Sequence, residues 1–509
     1  MMRFCGILLF MAVASMLNAA GADSTSVIKR VDLFSSPTNN LGESVVRGTQ
    51  AAMLYAHDIS LTKISVSADY RDESKAFLPQ LGSGEMKGVF SVDSYIKLNK
   101  KAVVWGNVEY YNGIKKNVCW NSTADFLMLY PYILADSIGG KLSVEQYLFS
   151  GGYAVKKGRF SFGVMGRYRA LHEYRKVDPR PRNIVSDFNV ALSAGVDAGN
   201  YMVGINAGGK IYKQFQDVAF YNENGANTSE LHFTGLGTHY ARYDGAGDYT
   251  ATRYKGREYS AALSLVPHAN SGLYAGIGYT SFRVKRYLPS QNMVPLTSLY
   301  VENLYGNIAY KDLSGRVEWG IETKGGYEWR NGTENIIDNG AGNVNEVLGA
   351  LDMYKNRVAQ AEIGGKVMFK GERYRLYCGA GAGFCGFKTE YAYPGREMEV
   401  GTFTPNAEAG YIGYCNGWSY EFAVYGAYGI NADGSVNIPL KHTDARIYDS
   451  LMELYDRLTD SCLQVVPMVR VMREISNRTA AFLQIRYGRL MYGCGENADS
   501  VTASVGLYF

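Results

Sequence analysis

The last nine residues, Val501-Thr-Ala-Ser-Val-Gly-Leu-Tyr-Phe509, constrain the fold more than any other stretch of the chain. Val501, Ala503, Val505, Leu507 and Phe509 share one face of an extended segment, and Thr502, Ser504, Gly506 and Tyr508 share the other. A period of two with one apolar face suits a β-strand that has lipid on one side and water on the other. The chain then stops on an aromatic carboxyl terminus. A soluble domain seldom closes in this way, so the tail predicts a membrane strand.

The alternation recurs along the chain. Over 159–170, Phe160, Phe162, Val164 and Tyr168 oppose Arg159, Ser161, Arg167 and Arg169. Over 187–197, Phe188, Val190, Leu192, Ala194 and Val196 oppose Asp187, Asn189, Ser193 and Asp197. Over 316–324, Val317, Trp319 and Ile321 oppose Arg316, Glu318, Glu322 and Lys324. Similar patterns near 61–70, 86–98, 101–112, 141–155, 200–213, 257–266, 272–286, 299–311, 357–369, 373–388, 401–415, 418–430, 462–474, 479–491 and 499–509 bring the total to eighteen. Connections alternate long and short, the longest running from about Gln214 to Gly256. That rhythm is expected of a barrel with long outer loops, short periplasmic turns and both termini in the periplasm. The fold class predicted is all-β: a transmembrane antiparallel up-and-down barrel of about 16–18 strands.

The amino terminus agrees in compartment. Arg3, the apolar run Phe4–Leu17 and the small-residue site Ala20-Gly21-Ala22 read as a secretory signal peptide over 1–22. Residues 23–60 form a periplasmic or lumenal lead-in, a short helix or extended segment resting on the inner wall, and 61–509 form the barrel. The lead-in is too short for the globular plug of an energy-coupled transporter. Beyond the signal, no apolar run approaches the roughly 18 residues of a spanning helix. The 58 Gly and 41 Tyr suit a curved wall and its interfacial girdles, and a net charge of +4 gives no reason to expect nucleic acid.

The terminal strand ending in Phe509 resembles the carboxy-terminal signal of outer-membrane barrels, which implies recognition by the barrel-assembly machinery. Gly48-Thr-Gln-Ala-Ala-Met-Leu54 resembles the Gly-Asn-Pro-Ala-x-Leu lead-in of long-chain fatty-acid transporters, with Thr49 and Gln50 in place of Asn and Pro. Taken together, the signal, the Tyr- and Gly-rich strands and the final Gly-Leu-Tyr-Phe resemble uncharacterised outer-membrane barrel families of Bacteroidota-type bacteria. That resemblance implies fold and location and leaves activity open.

Residues that carry chemistry elsewhere have plain readings here. Gly381-Ala-Gly383-Phe-Cys-Gly386 has dinucleotide-binding spacing but lies within one strand, whereas that chemistry needs a strand-to-helix turn. His57, His172, His232, His239, His268 and His442 lack hydrolase or metal spacing and read as solvated loop histidines. Neither catalytic nor metal residues nor cofactors are expected. Cys119, Cys462 and Cys494 fall near outer loops where disulfides would staple them, and Cys378 reads as a small lipid-facing hydrophobe.

Two loops stand out. Residues 124–134, with Phe126, Leu127, Leu129, Tyr130 and Ile133, are too apolar to stay wetted and predict a constriction folded into the lumen. Thr443 is placed to cap a helix with the stripe Ile447, Leu451, Leu454, Tyr455 and Leu458, a lid on the rim or on other loops. Lumen charges are mixed in sign, with Arg167, Arg169, Arg316 and Lys324 set against Glu318 and Glu322. The expected partners are outer-membrane lipid, the assembly machinery, and a small solute or a partner protein. The expected function is passage or uptake of a small solute, with a docking barrel second and a membrane enzyme third.

Overall fold

A computed structural model describes residues 25–222, 229–247, 249–338 and 346–509. The segment read as a signal peptide, residues 1–22, lies outside them. Eighteen antiparallel strands form a single sheet that closes on itself. Closure occurs where the first strand, Leu61–Glu73, pairs with both Gly84–Asn99 and the last strand, Asn497–Tyr508.

Each strand is bonded to its sequence neighbours, and all eighteen expected strands are present. Phe160, Phe162, Val164, Phe188, Val190, Leu192, Val317, Trp319 and Ile321 are exposed on the outside of the wall. An apolar exterior whose backbone groups are satisfied from strand to strand is how a sheet crosses a bilayer. The chain is thus an integral outer-membrane β-barrel, with outer-membrane lipid as its surroundings.

The strands run further outward than the alternation indicated. Arg180–Ala198, Val347–Lys370 and Arg396–Cys415 each begin five or more residues before the expected start. At these outer ends the inward positions Val185, Val284, Leu299, Tyr354 and Met398 are buried in an apolar cluster, while outward positions carry charge. The polarity of the two faces is inverted there, which hides the strand from a lipid-face search.

Within the barrel, the lead-in forms α1 (Val27–Ser35), α2 (Glu43–Gly48) and a 3-10 turn, Gln50–Tyr55. At the outer end, the loop after Ala102–Val118 forms a short helix, α3 (Phe126–Leu129), and folds inward. Residues 229–247 fold inward beside it. The two loops share a small three-stranded sheet of Leu134–Ala135, Leu231–Gly235 and Thr238–His239, which no sequence period announced. A fourth helix, α4 (Ala445–Thr459), lies over them, and its cap is Asp444, whose carboxylate accepts from Arg446 N. Thr443 instead donates to the Pro439 carbonyl, so the expected cap is displaced by one residue.

Candidate functional site

The lumen is filled from both ends by segments of the chain itself. At the periplasmic end the lead-in makes a full circuit of the wall. Val27 N donates to the Asn477 carbonyl, Thr38 Oγ1 to Glu318 at 2.8 Å, Gly42 N to Glu322 at 3.1 Å, and Tyr55 Oη to Asp197 at 2.8 Å. Glycines let it approach the wall, since a Cβ at Gly163 would stand 2.6 Å from Ala51 N and one at Gly320 2.6 Å from Leu41. His57 stacks on Phe34, and burial, with Arg47 nearby, pushes its imidazole down to about 4.

At the outer end, Phe126, Leu129 and Ile133 are buried, Tyr130 is half-buried, and all four belong to one apolar cluster with Trp120, Phe233 and the inner faces of the strand ends. Leu127 is exposed, and its carbonyl accepts from Arg330 at 2.7 Å. The loop is tethered by charge: Arg169 donates to both oxygens of Asp125, at 2.9 and 2.6 Å, and Tyr212 Oη donates to the same carboxylate at 2.9 Å. Arg175 and Asp136 form a buried pair at 3.0 Å, and the single Ser122 hydroxyl lies between Asp136 at 3.2 Å and Glu230 at 3.0 Å. Burial, reinforced by Asp136, raises the Glu230 carboxyl to about 8, so it is largely protonated at neutral pH.

His232 is not a solvated loop histidine. It is fully buried, with Nδ1 2.7 Å from Arg286 and Nε2 3.0 Å from the Tyr249 carbonyl. Burial and the adjacent Arg286 hold its pKa well below the ordinary range. The neutral tautomer with Nε2–H satisfies both contacts. The loop reading failed because residues 229–247 fold into the barrel mouth and not away from it. His239 pairs with Asp244 at 2.5 Å, the side chain of His442 lies outside the described residues, His57 stacks within the lead-in on Phe34, and His268 stacks on Tyr55 of the lead-in.

The six cysteines among the described residues are free, so the outer loops are held by packing and ion pairs and not by disulfides. Cys378 is exposed on its strand. Among the described residues no three His, Cys, Asp or Glu side chains converge as a metal site.

Between the closures lies a polar chamber. One cavity of about 780 Å³ is bordered by Arg330, Glu328, Gln360 and Cys385. Another of about 290 Å³ reaches the lead-in at Pro37, Asn40 and Leu41. Lys324, Glu362, Asn406 and Tyr425 border both, which sets the two cavities side by side between the lead-in and Arg330.

The lumen charges named from sequence separate into distinct roles. Glu318 and Glu322 hold the lead-in, Arg169 holds the outer loop, and Lys324 faces the chamber, 2.9 Å from Glu322. Arg167 is exposed one turn of the pleat deeper than Arg169, and Arg316 is exposed in the periplasmic turn before Val317–Ile337. Glu328 and Arg330 were missed, although they continue the inward phase of Glu318, Glu322 and Lys324 on the same strand. Following that alternation past residue 324 would have found them. Cross-strand pairs such as Lys210–Glu258 at 2.6 Å and Arg470–Glu421 at 2.7 Å knit the wall, as a balanced interior allows.

These features define a class: a large outer-membrane barrel whose lumen is occupied at both ends by segments of its own chain. Residues 50–509 match the family described as a family of unknown function (DUF6850), and the chain belongs to that family. Comparison with the curated proteins gives no match. Among solved structures, it is similar to the unliganded ferric citrate transporter FecA, at 10% identity and a TM-score of 0.40, covering 88% of this chain and 78% of that one. It is also similar to a mutant of the ferric enterobactin receptor PfeA from Pseudomonas aeruginosa, at 8% identity and a TM-score of 0.37, covering 88% and 80%. The copper transporter OprC gives 8% identity and a TM-score of 0.39, covering 88% and 82%. Similarity at this level concerns the barrel alone. The fatty-acid-transporter likeness expected from Gly48–Leu54 does not emerge among them; here Gln50 opens a 3-10 turn whose Ala51 N is bonded to Ser193.

Proposed function

We propose that this chain is a gated transport barrel for a small polar solute, held in its closed state by two displaceable segments of its own sequence. The observation that carries the reading is the polar chamber of about 780 Å³, walled by Lys324, Glu328, Arg330, Gln360, Glu362 and Asn406 and lying between the two inserted segments. Its volume falls within the range of about 300–1,000 Å³ that encloses small molecules. Arg169 and Arg330 act as latches, since each bonds the inserted loop from the wall. In this reading Phe126, Leu127, Leu129, Tyr130 and Ile133 are the constriction.

Residues 1–22 serve as a cleaved export signal, and the strand ending in Phe509 is the segment offered to the assembly machinery. The Bacteroidota-type lineage rests on the Tyr- and Gly-rich strands and the terminal Gly-Leu-Tyr-Phe. No catalytic residue is assigned.

A docking barrel is the second reading. It is favoured by the depth of the outer closure, where the buried Arg175–Asp136 pair and a continuous apolar cluster make a rigid platform beneath α4. Conductance in planar bilayers separates the two. Deleting 124–134 is expected to raise single-channel conductance and the permeation of sugars into liposomes. Zero conductance before and after the deletion, in protein shown to be folded, would overturn the transport reading in favour of docking.

A further inference from the structure

The outer rim carries charge on its membrane side as well as in its lumen, and in one sector that charge is of a single sign. Lys213, Lys255 and Lys285 stand directly opposite one another on three adjacent strands, Tyr201–Ala219, Thr252–Pro267 and Gly272–Leu288. One row closer to the bilayer, Arg257 and Arg283 are likewise opposite. All five share the face of Ile211, Tyr259, Leu263 and Ile277, the exposed apolar exterior. Arg257 is in register with Ile211, so the cations begin where the apolar band ends.

Like charges placed directly across a ladder destabilise a sheet unless something outside neutralises them. Among the described residues none of the five has an ion-pair partner. Several cations elsewhere on the exterior rim stand beside carboxylates. Lys388 is 3.4, 3.0 and 3.8 Å from Glu390, Glu397 and Glu399, Lys116 is 3.6 Å from Asp72, and Arg489 is 3.9 Å from Asp499. Aromatic rings flank the unpaired sector: the Arg283 guanidinium lies 4.5 Å from the Tyr300 ring and Lys255 Nζ 5.2 Å from the Tyr287 ring. Glu302, on the same exterior face, is engaged by Tyr279 at 2.9 Å and by Trp329.

We infer that this sector binds the phosphorylated headgroups of outer-leaflet lipid. The depth is that of a headgroup, immediately above an apolar wall, and aromatic side chains are characteristic of that level. Arginine forks match phosphate oxygens two at a time, and lysines add point charge. The lysine row and the arginine row present two layers of positive charge to anions whose acyl chains lie along Ile211, Leu263 and Ile277. The site is remote from the chamber and independent of what the barrel transports.

The test is retention of lipid by the folded protein in detergent, read by native mass spectrometry. The probes are lipid A bearing two phosphates, the same lipid after dephosphorylation, and inorganic phosphate. The wild type should retain the phosphorylated lipid at least tenfold better than the dephosphorylated one. Joint replacement Lys213→Gln, Lys255→Gln and Lys285→Gln should abolish that preference, while Lys→Arg at the same positions should keep it. Heat-modifiable migration confirms that each variant is folded. Equal retention of both lipids by the wild type, or an unchanged preference in the triple Gln variant, would overturn the inference. So would inorganic phosphate displacing the lipid at equal concentration, which would mark a free-anion site, or co-purification of an acidic protein that depends on the lysines while lipid retention does not.

Discussion

At the scale of single residues, the wall sorts substitutions by face. Val190→Arg is expected to cost roughly 2–4 kcal/mol near the bilayer midplane, whereas Asn189→Arg, on the lumen side, should be milder. Urea unfolding in lipid measures both, and equal costs would show the faces to be wrong. Gly320 faces the lumen too but is not an open position, because any side chain there meets Leu41 of the lead-in.

Glu230 makes a second residue-scale prediction. Its folded pKa of about 8 exceeds the ordinary carboxylate value, so between about pH 4.5 and 8 the closed loop holds a proton that the opened loop releases. Closure therefore weakens as pH rises through this window and levels off above it, with the opening constant growing by up to about tenfold per pH unit. Hydrogen exchange over 229–235, corrected for intrinsic rates, should show this slope, and Glu230→Gln should flatten it. An identical slope in the variant would refute the assignment.

Among elements, the strands were legible throughout and the inserted segments only in part. Every strand crossing the bilayer has lipid on one face, and that alone enforces a period of two, as in Phe160, Phe162 and Val164. Where strands rise past the membrane, the reference solvent changes on both faces. Val185 and Leu299 turn inward against the inserted loops, and Lys255 and Arg257 face out. The apolar run Phe126–Leu134 announced that loop 124–134 had to be covered, but the buried His232 and Glu230 gave no such sign, because their partners Arg286 and Ser122 are far away in sequence. Helix α4 provides the test at this scale. Asp444→Ala should cost about 1 kcal/mol of helix stability, as loss of an N-cap does, whereas Thr443→Ala should leave it near its original value. Limited proteolysis at Arg446 and Arg457 reads the difference, and greater sensitivity in the Thr443 variant would restore the sequence-based cap.

For the whole molecule, closure depends on the seam between Leu61–Glu73 and Asn497–Tyr508, in register from Lys63 opposite Tyr508 to Glu73 opposite Ala498. Removing Val501–Phe509 leaves two unpaired edges that a bilayer cannot solvate. The truncated chain should be degraded or remain in the periplasm, and its recovery from outer-membrane fractions with normal heat-modifiable migration would count against the strand's role. The same seam bears on the order of events in assembly. Val27 and Val31, at the start of the lead-in's circuit, share a cluster with Phe482 and Tyr508, beside the final join. The lead-in thus begins its round at the join that closes the ring, and its first turn gains its full seat only when the last strand is in place. The final strand completes two things together, the wall and the bed of the segment inside it, and the periplasmic mouth is that segment's route in and out.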